Sequence, residues 1–133
     1  MTPVFADTYY YIALLSEDDA AHEQAVRLSR TLRDPIVTTA WVLTEVADAL
    51  AGTRKRGLLL SLVQSQRADA HVSLIEAERG LFDRGIELYS QRPDKAWSLT
   101  DCISFVVMKD LNLSDALTGD HHFEQAGFRI LFK

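Results

Sequence analysis

The sequence Pro3-Val4-Phe5-Ala6-Asp7-Thr8 joins a short apolar run to an acid and then to the start of a helical pattern. The apolar residues predict a short buried strand, and Tyr11, Ile12 and Leu15 follow at the spacing of a helix. Strand-like and helix-like segments then alternate along the rest of the chain. Because this alternation is typical of a parallel sheet covered on both faces, it predicts an α/β fold.

Four further strands and six further helices complete the predicted domain. Apolar and β-branched runs predict strands at Ile36–Thr39, His71–Ile75, Ala116–Thr118 and Phe128–Phe132. Apolar spacing and helix breakers predict helices at Glu17–Arg33, Trp41–Ala51, Leu58–Gln66, Glu76–Gln91, Ser98–Asp110 and His121–Ala126. We therefore expect residues 1–133 to form a single three-layer α/β/α domain with a central parallel sheet of about five strands.

The composition and the apolar runs of the chain restrict the kind of protein that it can be. A chain of 133 residues with 47% hydrophobic and 25% charged residues is ordinary for one globular domain with a real core. The longest apolar runs are far too short to span a bilayer, and the N-terminus lacks the basic region of a signal peptide. The single cysteine, Cys102, excludes an internal disulfide. We expect a cytoplasmic protein with no membrane partner.

Four acids are expected to meet at one edge of the predicted sheet. In parallel sheets, ligands collect outside the carboxyl ends of the strands. Asp7 follows the first strand directly, and Asp120 follows the fourth strand by two residues. Glu45 lies in the second turn of the helix behind the second strand, and Asp101 lies in the first turn of its own helix. Asp115, at the start of its strand, would be roughly 16 Å from Asp120 at about 3.3 Å per residue, so we leave it out.

Carboxylates held close together repel one another and take up protons unless a cation neutralises them. A set of oxygen ligands favours Mg²⁺ or Mn²⁺ over zinc, and such a cation polarises phosphoryl groups and activates water. The alternative is that Asp7 and Asp101 only cap helices while the other two acids are solvated. Ser98 followed three residues later by Asp101 fits a capping box.

The net charge of −5 argues against a nucleic-acid binder that works through bulk positive charge. It does not exclude nucleic acid if the acids are concentrated in one pocket. Removing the four negative charges of that pocket from −5 leaves −1, which is nearly neutral. The acidity of the protein can therefore be mostly the acidity of its site.

Four blocks of the sequence resemble, in order, the signature blocks of the PIN domain, and the likeness is strongest to VapC-type toxins and their relatives. The blocks are Val4-Phe-Ala-Asp7-Thr8, Thr39-Ala-Trp-Val-Leu-Thr-Glu45-Val46, Ser98-Leu-Thr-Asp101-Cys-Ile-Ser-Phe105 and Leu117-Thr-Gly-Asp120-His-His-Phe123. The resemblance implies a Mg²⁺- or Mn²⁺-dependent endoribonuclease that hydrolyses RNA phosphodiester bonds. It further implies the toxin of a type II toxin–antitoxin pair, with an RNA substrate, a cognate antitoxin and a homodimeric assembly.

The same resemblance implies roles for individual residues. Three of the acids would hold the metal directly, and Glu45 would hold it directly or through water. Thr8 and Thr100 would support the site through their hydroxyl groups. The implied catalytic and metal-binding residues are thus Asp7, Glu45, Asp101 and Asp120.

Other polar and aromatic segments carry weaker signals. Thr53–Gly57 contains the densest basic cluster, and the sequence leaves open whether it grips RNA phosphates or is a solvated helix junction. Tyr9–Tyr11 could stack bases, although at least one of these tyrosines is expected in the core. His121 and His122 lack the helical spacing of a metal-binding pair, so we expect them to be surface residues.

Two non-enzymatic alternatives compete with a nuclease. A phospho-receiver module also gathers acids at strand ends around Mg²⁺, but it needs an Asp at the end of the third strand, where this chain has Ile75 and Glu76. A degenerate PIN fold that only binds a protein partner is the second alternative, and the four intact acids argue against it. A phosphatase with an Asp-x-Asp motif that begins at Asp7 is excluded, because Tyr9 stands where the motif needs its second Asp.

Overall fold

The computed structural model describes residues 2–133, within which five strands form one parallel sheet in the order β3-β2-β1-β4-β5. The strands are β1 (Val4–Ala6), β2 (Ile36–Thr39), β3 (Val72–Ile75), β4 (Asp115–Leu117) and β5 (Arg129–Ile130). The same residues contain seven helices: α1 (Thr8–Leu15), α2 (His22–Thr31), α3 (Ala40–Leu50), α4 (Leu58–Ala68), α5 (Arg79–Gln91), α6 (Leu99–Asp110) and α7 (His121–Gln125). The predicted α/β class with a five-stranded parallel sheet is confirmed.

The chain starts in the middle of the sheet and builds outward in both directions. From β1 it steps to β2 and β3 on one side, and then crosses to β4 and β5 on the other. Because connections between parallel strands are right-handed, α1 to α4 cover one face and α5 to α7 cover the other. The central strand is buried along its whole length, as a strand covered on both faces must be.

The junctions at the carboxyl ends of the strands are very short. Only Asp7 separates β1 from α1, and α3 follows β2 without a gap. Thr39, the last residue of β2, caps α3 by accepting a hydrogen bond from the backbone N–H of Val42 at 3.1 Å. Asp120 caps α7 in the same way. These tight junctions leave the side chains at this edge little freedom of position.

A chain of aromatic contacts fixes the last helix. The ring of Phe105 on α6 packs edge-on against Trp97 at 5.0 Å and against Phe123 on α7 at 4.9 Å between ring centroids. Phe123 is fully buried. Because α7 has only five residues, this anchor rather than its own hydrogen bonding holds Asp120 and His122 in place.

The predicted elements are present, most of them with shortened or shifted ends, whereas α4 extends two residues beyond the predicted Gln66. The helix predicted from Glu17 begins at His22, because residues from Ser16 to Asp19 form a turn in which the backbone N–H of Asp19 donates to the carbonyl of Ser16. The helix predicted from Glu76 begins at Arg79, because the side chain of Glu78 caps it. No helix within residues 2–133 is long and apolar enough to cross a membrane.

Candidate active site

The four acids singled out from the sequence line one cleft of about 390 Å³ at the carboxyl edge of the sheet. Three secondary-structure junctions and the side of α3 contribute them, as the strand order predicts. The remaining lining residues are Thr8, Tyr9, Ile12, Asp19, Ala96, Ser98 and His122. This lining lies wholly within the described residues and contains no Lys or Arg.

Asp7 is the most deeply buried of the four acids, at 4% exposure. Its carboxylate accepts a hydrogen bond of 2.9 Å from the hydroxyl of Thr118. Burial raises the pKa of Asp7 to about 7, the charges on Asp101 and Glu45 act in the same direction, and the Thr118 hydrogen bond opposes them. Near neutral pH this carboxyl group is therefore poised between its protonated and ionised forms.

Glu45 reaches the cleft from α3 and accepts a hydrogen bond from the hydroxyl of Thr8. Its side chain is half-buried. Burial raises the pKa of Glu45, and the negative charges of Asp101 and Asp120 raise it further, against the lowering effect of the Thr8 hydroxyl. Thr8 therefore supports the site as the sequence predicted.

Asp101 serves both as a helix cap and as a wall of the cleft. Its backbone N–H donates to the hydroxyl of Ser98 at 3.0 Å, and its carboxylate accepts from the backbone N–H of Ser98 at 3.1 Å. The carboxylate is buried, and burial raises its pKa more than the Ser98 and His122 contacts lower it. Asp101 therefore does help to cap α6, as the alternative interpretation predicted, and it also lines the cleft.

His122 lies in the cleft, so the expectation that both histidines are simple surface residues is wrong for this one. Its Nδ1 is 3.1 Å from Asp101 Oδ2 and 3.4 Å from Asp120 Oδ1. Its backbone N–H also donates to Asp120 at 2.9 Å. His121 projects outward, as predicted, with 71% of its side chain exposed. Because adjacent side chains on a helix point in different directions, only one of the two histidines can face the cleft. The packing of α7 determines that it is His122.

Thr118 is a second contact that the sequence did not reveal. Its hydroxyl donates to Asp7 and accepts a 3.0 Å hydrogen bond from the backbone N–H of Asp120, which links two of the acids. Within residues 2–133, the hydroxyl of Thr100 makes no hydrogen bond to any of the four carboxylates, so the expected support from Thr100 is not observed. A Thr at the end of a strand followed two residues later by Asp was the available signal.

The donor chemistry of the cleft fits a hard divalent cation. It offers carboxylate oxygens of raised pKa and no Lys or Arg to neutralise them. The four carboxylates are not in mutual contact, however. In the described part of the chain, the one group of three or more acids, histidines or cysteines with ligand atoms within 4.8 Å of one another is Asp120, His121 and His122. A cation shared by the four acids must therefore draw side chains inward or use bridging waters, which Mg²⁺ commonly retains.

The basic cluster Thr53–Gly57 is partly neutralised by the protein itself. Lys55 forms an ion pair of 2.9 Å with Asp18, and Arg56 donates to the carbonyl of Ala51 at 2.9 Å. Arg54 and Lys55 line a separate groove together with Asp18. Contact with RNA phosphates at this cluster stays a hypothesis.

Comparison with known proteins agrees with this architecture. A sequence model of the PIN domain matches residues 4–129. The chain is 27% identical over 126 residues to the 23S rRNA-specific endonuclease VapC20 of Mycobacterium tuberculosis, with 94% of this chain and 95% of VapC20 covered. The crystal structure of VapC20, a sarcin-ricin loop cleaving toxin, matches with a TM-score of 0.85 at 25% identity, over 94% of this chain and 95% of that one.

A more distant structural match supports the fold alone. FitAcB from Neisseria gonorrhoeae has a TM-score of 0.65 at 14% identity, over 96% of this chain and 95% of the FitAcB chain. The family match, by contrast, extends over nearly the whole sequence and contains all four acids. The chain belongs to the PIN domain family.

Proposed function

We propose that this protein is a Mg²⁺- or Mn²⁺-dependent endoribonuclease and the toxin of a type II toxin–antitoxin pair. The observation that carries the proposal is the gathering of Asp7, Glu45, Asp101 and Asp120 in one cleft whose lining contains no Lys or Arg. The similarity to VapC20 along 94% of the chain supports the choice of RNA among phosphodiester substrates. The site residues are proposed to be both the catalytic and the metal-binding residues.

In this mechanism, Asp7, Asp101 and Asp120 would hold the cation, and Glu45 would hold it directly or through water. A cation held there would neutralise the carboxylates and would supply polarisation of the scissile phosphate. Glu45 is the acid that we assign to accept a proton from the attacking water. It is half-buried on the cleft wall, and the hydroxyl of Thr8 holds its carboxylate in place there.

The hydrogen bonds around the acids set their orientation before any ligand arrives. Thr8 holds Glu45, Thr118 holds Asp7, and the capping box holds Asp101. A site whose side chains are already fixed loses less entropy when substrate and cation bind. The threonines act here as positioning residues.

Tyr9 is the tyrosine that we assign to the substrate. It is 39% exposed and lines the cleft, whereas Tyr10 and Tyr11 are buried, as expected for at least one of the three. Its ring packs edge-on against Phe132 at 5.1 Å between centroids. A Cβ at Gly119 would lie 2.5 Å from the ring, so only glycine fits beside it. A rigid, partly exposed aromatic face beside the acids suits a base flanking the scissile bond.

The structure also bears on the non-catalytic alternatives. A phospho-receiver requires an acid at the end of β3, and that strand ends at Ile75, on the side of β2 away from the cleft. A scaffold that only binds a partner has no need for buried carboxylates of raised pKa, which cost stability. We therefore favour the nuclease, and the cleavage assay decides between them.

Cleavage of RNA should require a divalent cation. We expect tag-free protein to cut a structured ribosomal RNA hairpin in Mg²⁺ or Mn²⁺, because VapC20 acts on 23S ribosomal RNA, and chelator should abolish the activity. Products are resolved on denaturing gels beside a single-stranded RNA. Cleavage that persists in chelator would overturn the metal mechanism. Failure to cut ribosomal RNA of any kind with cation present would favour the scaffold alternative.

Asp101→Asn should distinguish the role of Asp101 in the site from its role in the helix cap. Asn keeps an oxygen that can cap α6, and it relieves repulsion among the acids, so the metal-free variant should be at least as stable as wild type. Its cleavage should be lost. Cation at 100 times its Kd should stabilise wild type by about 2.7 kcal/mol, on the order of 5–10 °C in Tm, and the variant much less.

The matched control for this variant is Asp110→Asn at the other end of the same helix. Asp110 is exposed and pairs only with Arg84, so its loss should leave both cleavage and the cation-induced rise in Tm intact. A sharp fall in the metal-free Tm of Asp101→Asn, together with a wild type that ignores both cations, would show that Asp101 is only a cap.

The cognate antitoxin should block the cleft with a positively charged side chain. Arg pairs well with carboxylates, and the cleft presents the four site acids and Asp19 without a Lys or Arg of its own. We expect a complex in which an Arg or Lys of the antitoxin lies among the four acids. A structure of the complex checks this directly, and an antitoxin that leaves the cleft open would contradict it. The homodimer stays a prediction.

A further inference from the structure

At the mouth of the cleft, two imidazoles lie close to the carboxylate of Asp120. His121 Nδ1 is 3.9 Å from Asp120 Oδ1, and His122 Nδ1 is 3.4 Å from the same oxygen. His122 Nδ1 is also 3.1 Å from Asp101 Oδ2. The ligand atoms of Asp120 and the two histidines all lie within 4.8 Å of one another, which holds for no other such group in the described part of the chain.

These distances match the edges of a zinc tetrahedron. Zn–N and Zn–O bonds of about 2.0–2.2 Å place the ligand atoms of a tetrahedral site about 3.3–3.6 Å apart. The two histidine nitrogens are 3.4 and 3.9 Å from Asp120 Oδ1, within and just above that interval. Because His121 is exposed and His122 and Asp120 are only partly buried, small side-chain rotations suffice to bring the three ligands to that spacing.

A set of ligands that includes two imidazoles favours a different metal from the one that the four acids favour. Imidazole nitrogen suits zinc and neighbouring transition metals, whereas Mg²⁺ prefers oxygen ligands and its own waters. We propose that His121, His122 and Asp120, with water in the fourth position, form a zinc site that overlaps the nuclease cleft. His121 is the residue that distinguishes the two sites, because it does not line the cleft.

Zinc in this site would inhibit the enzyme. It would occupy Asp120, one of the four acids that the activating cation needs, and it would engage His122, which contacts Asp101. This inhibitory consequence rests on the proposed nuclease function, whereas the zinc site itself rests only on the geometry. Zinc should thus act at concentrations well below those of the activating Mg²⁺, following the usual order of affinities for such ligands.

The test compares tag-free wild type with His121→Asn and with His71→Asn, a matched control at another exposed histidine. Zinc affinity is measured without RNA, by competition with a chromogenic zinc indicator, and Tm is followed in parallel. We expect wild type and His71→Asn to bind one zinc ion with equal affinity. His121→Asn should bind it at least about tenfold more weakly, because it loses one ligand.

Equal zinc affinity of His121→Asn and wild type would overturn the proposal, since His121 would then not be a ligand. Equal weakening by His71→Asn would also overturn it, because binding would then be unspecific to this cluster. His121→Gln serves as a second variant if the Asn variant proves unstable. Since no RNA enters this measurement, its outcome is independent of whether the protein proves to be a nuclease.

The inhibitory arm uses RNA cleavage in saturating Mn²⁺. Wild type and His71→Asn should lose activity on addition of zinc, and His121→Asn should need at least about tenfold more zinc for the same loss while its activity without zinc is unchanged. Equal inhibition of all three proteins would refute control of the nuclease by this site.

Discussion

Burial of negative charge at the carboxyl edge of the sheet is the constraint on which the rest of this structure depends. Asp7 and Asp101 are almost completely enclosed, and their carboxyl groups have raised pKa values because water is excluded and like charges are near. A protein gains nothing in stability from such an arrangement. In the metal-free state the folded protein binds protons more tightly than the unfolded chain between the ordinary pKa of Asp and about 7, so stability falls as pH rises through that interval.

The sheet order enforces this arrangement. Because β1 lies between β2 and β4, its carboxyl end is the centre of the edge, and Asp7 is surrounded by the groups that follow both neighbours. Glu45 lies on the helix that follows β2, and Asp120 follows β4 in the chain. The aromatic contacts of Phe123 fix α7, which Asp120 caps, and the capping box at Ser98 fixes the start of α6, which carries Asp101. Packing energy gained elsewhere in the domain offsets the cost of the site.

Most of the fold and the four acids could be predicted from the sequence, because strand periodicity and chain order determine which residues follow the strands. The missed residues depend on tertiary contacts. His122 points into the cleft only because α7 is held by Phe123, and Thr118 reaches Asp7 across 111 positions of sequence. Local patterns carry no record of the His122 contact, and for Thr118 they offer only its place two residues before Asp120. The late starts of α2 and α5 have a simpler cause, since the side chains of Asp19 and Glu78 bond the backbone in place of a helical turn.

The central claim is that a cation replaces protons held by buried carboxylates. Calorimetric titration of Mn²⁺ into wild type, in buffers of different ionisation enthalpy, measures the protons released per cation bound. The account predicts release of a substantial fraction of a proton at pH 6, below the pKa of about 7 at Asp7, and little release at pH 8. Asp7→Asn should release clearly less at pH 6. Binding of Mn²⁺ without proton release at pH 6, or equal release by wild type and Asp7→Asn, would contradict the account.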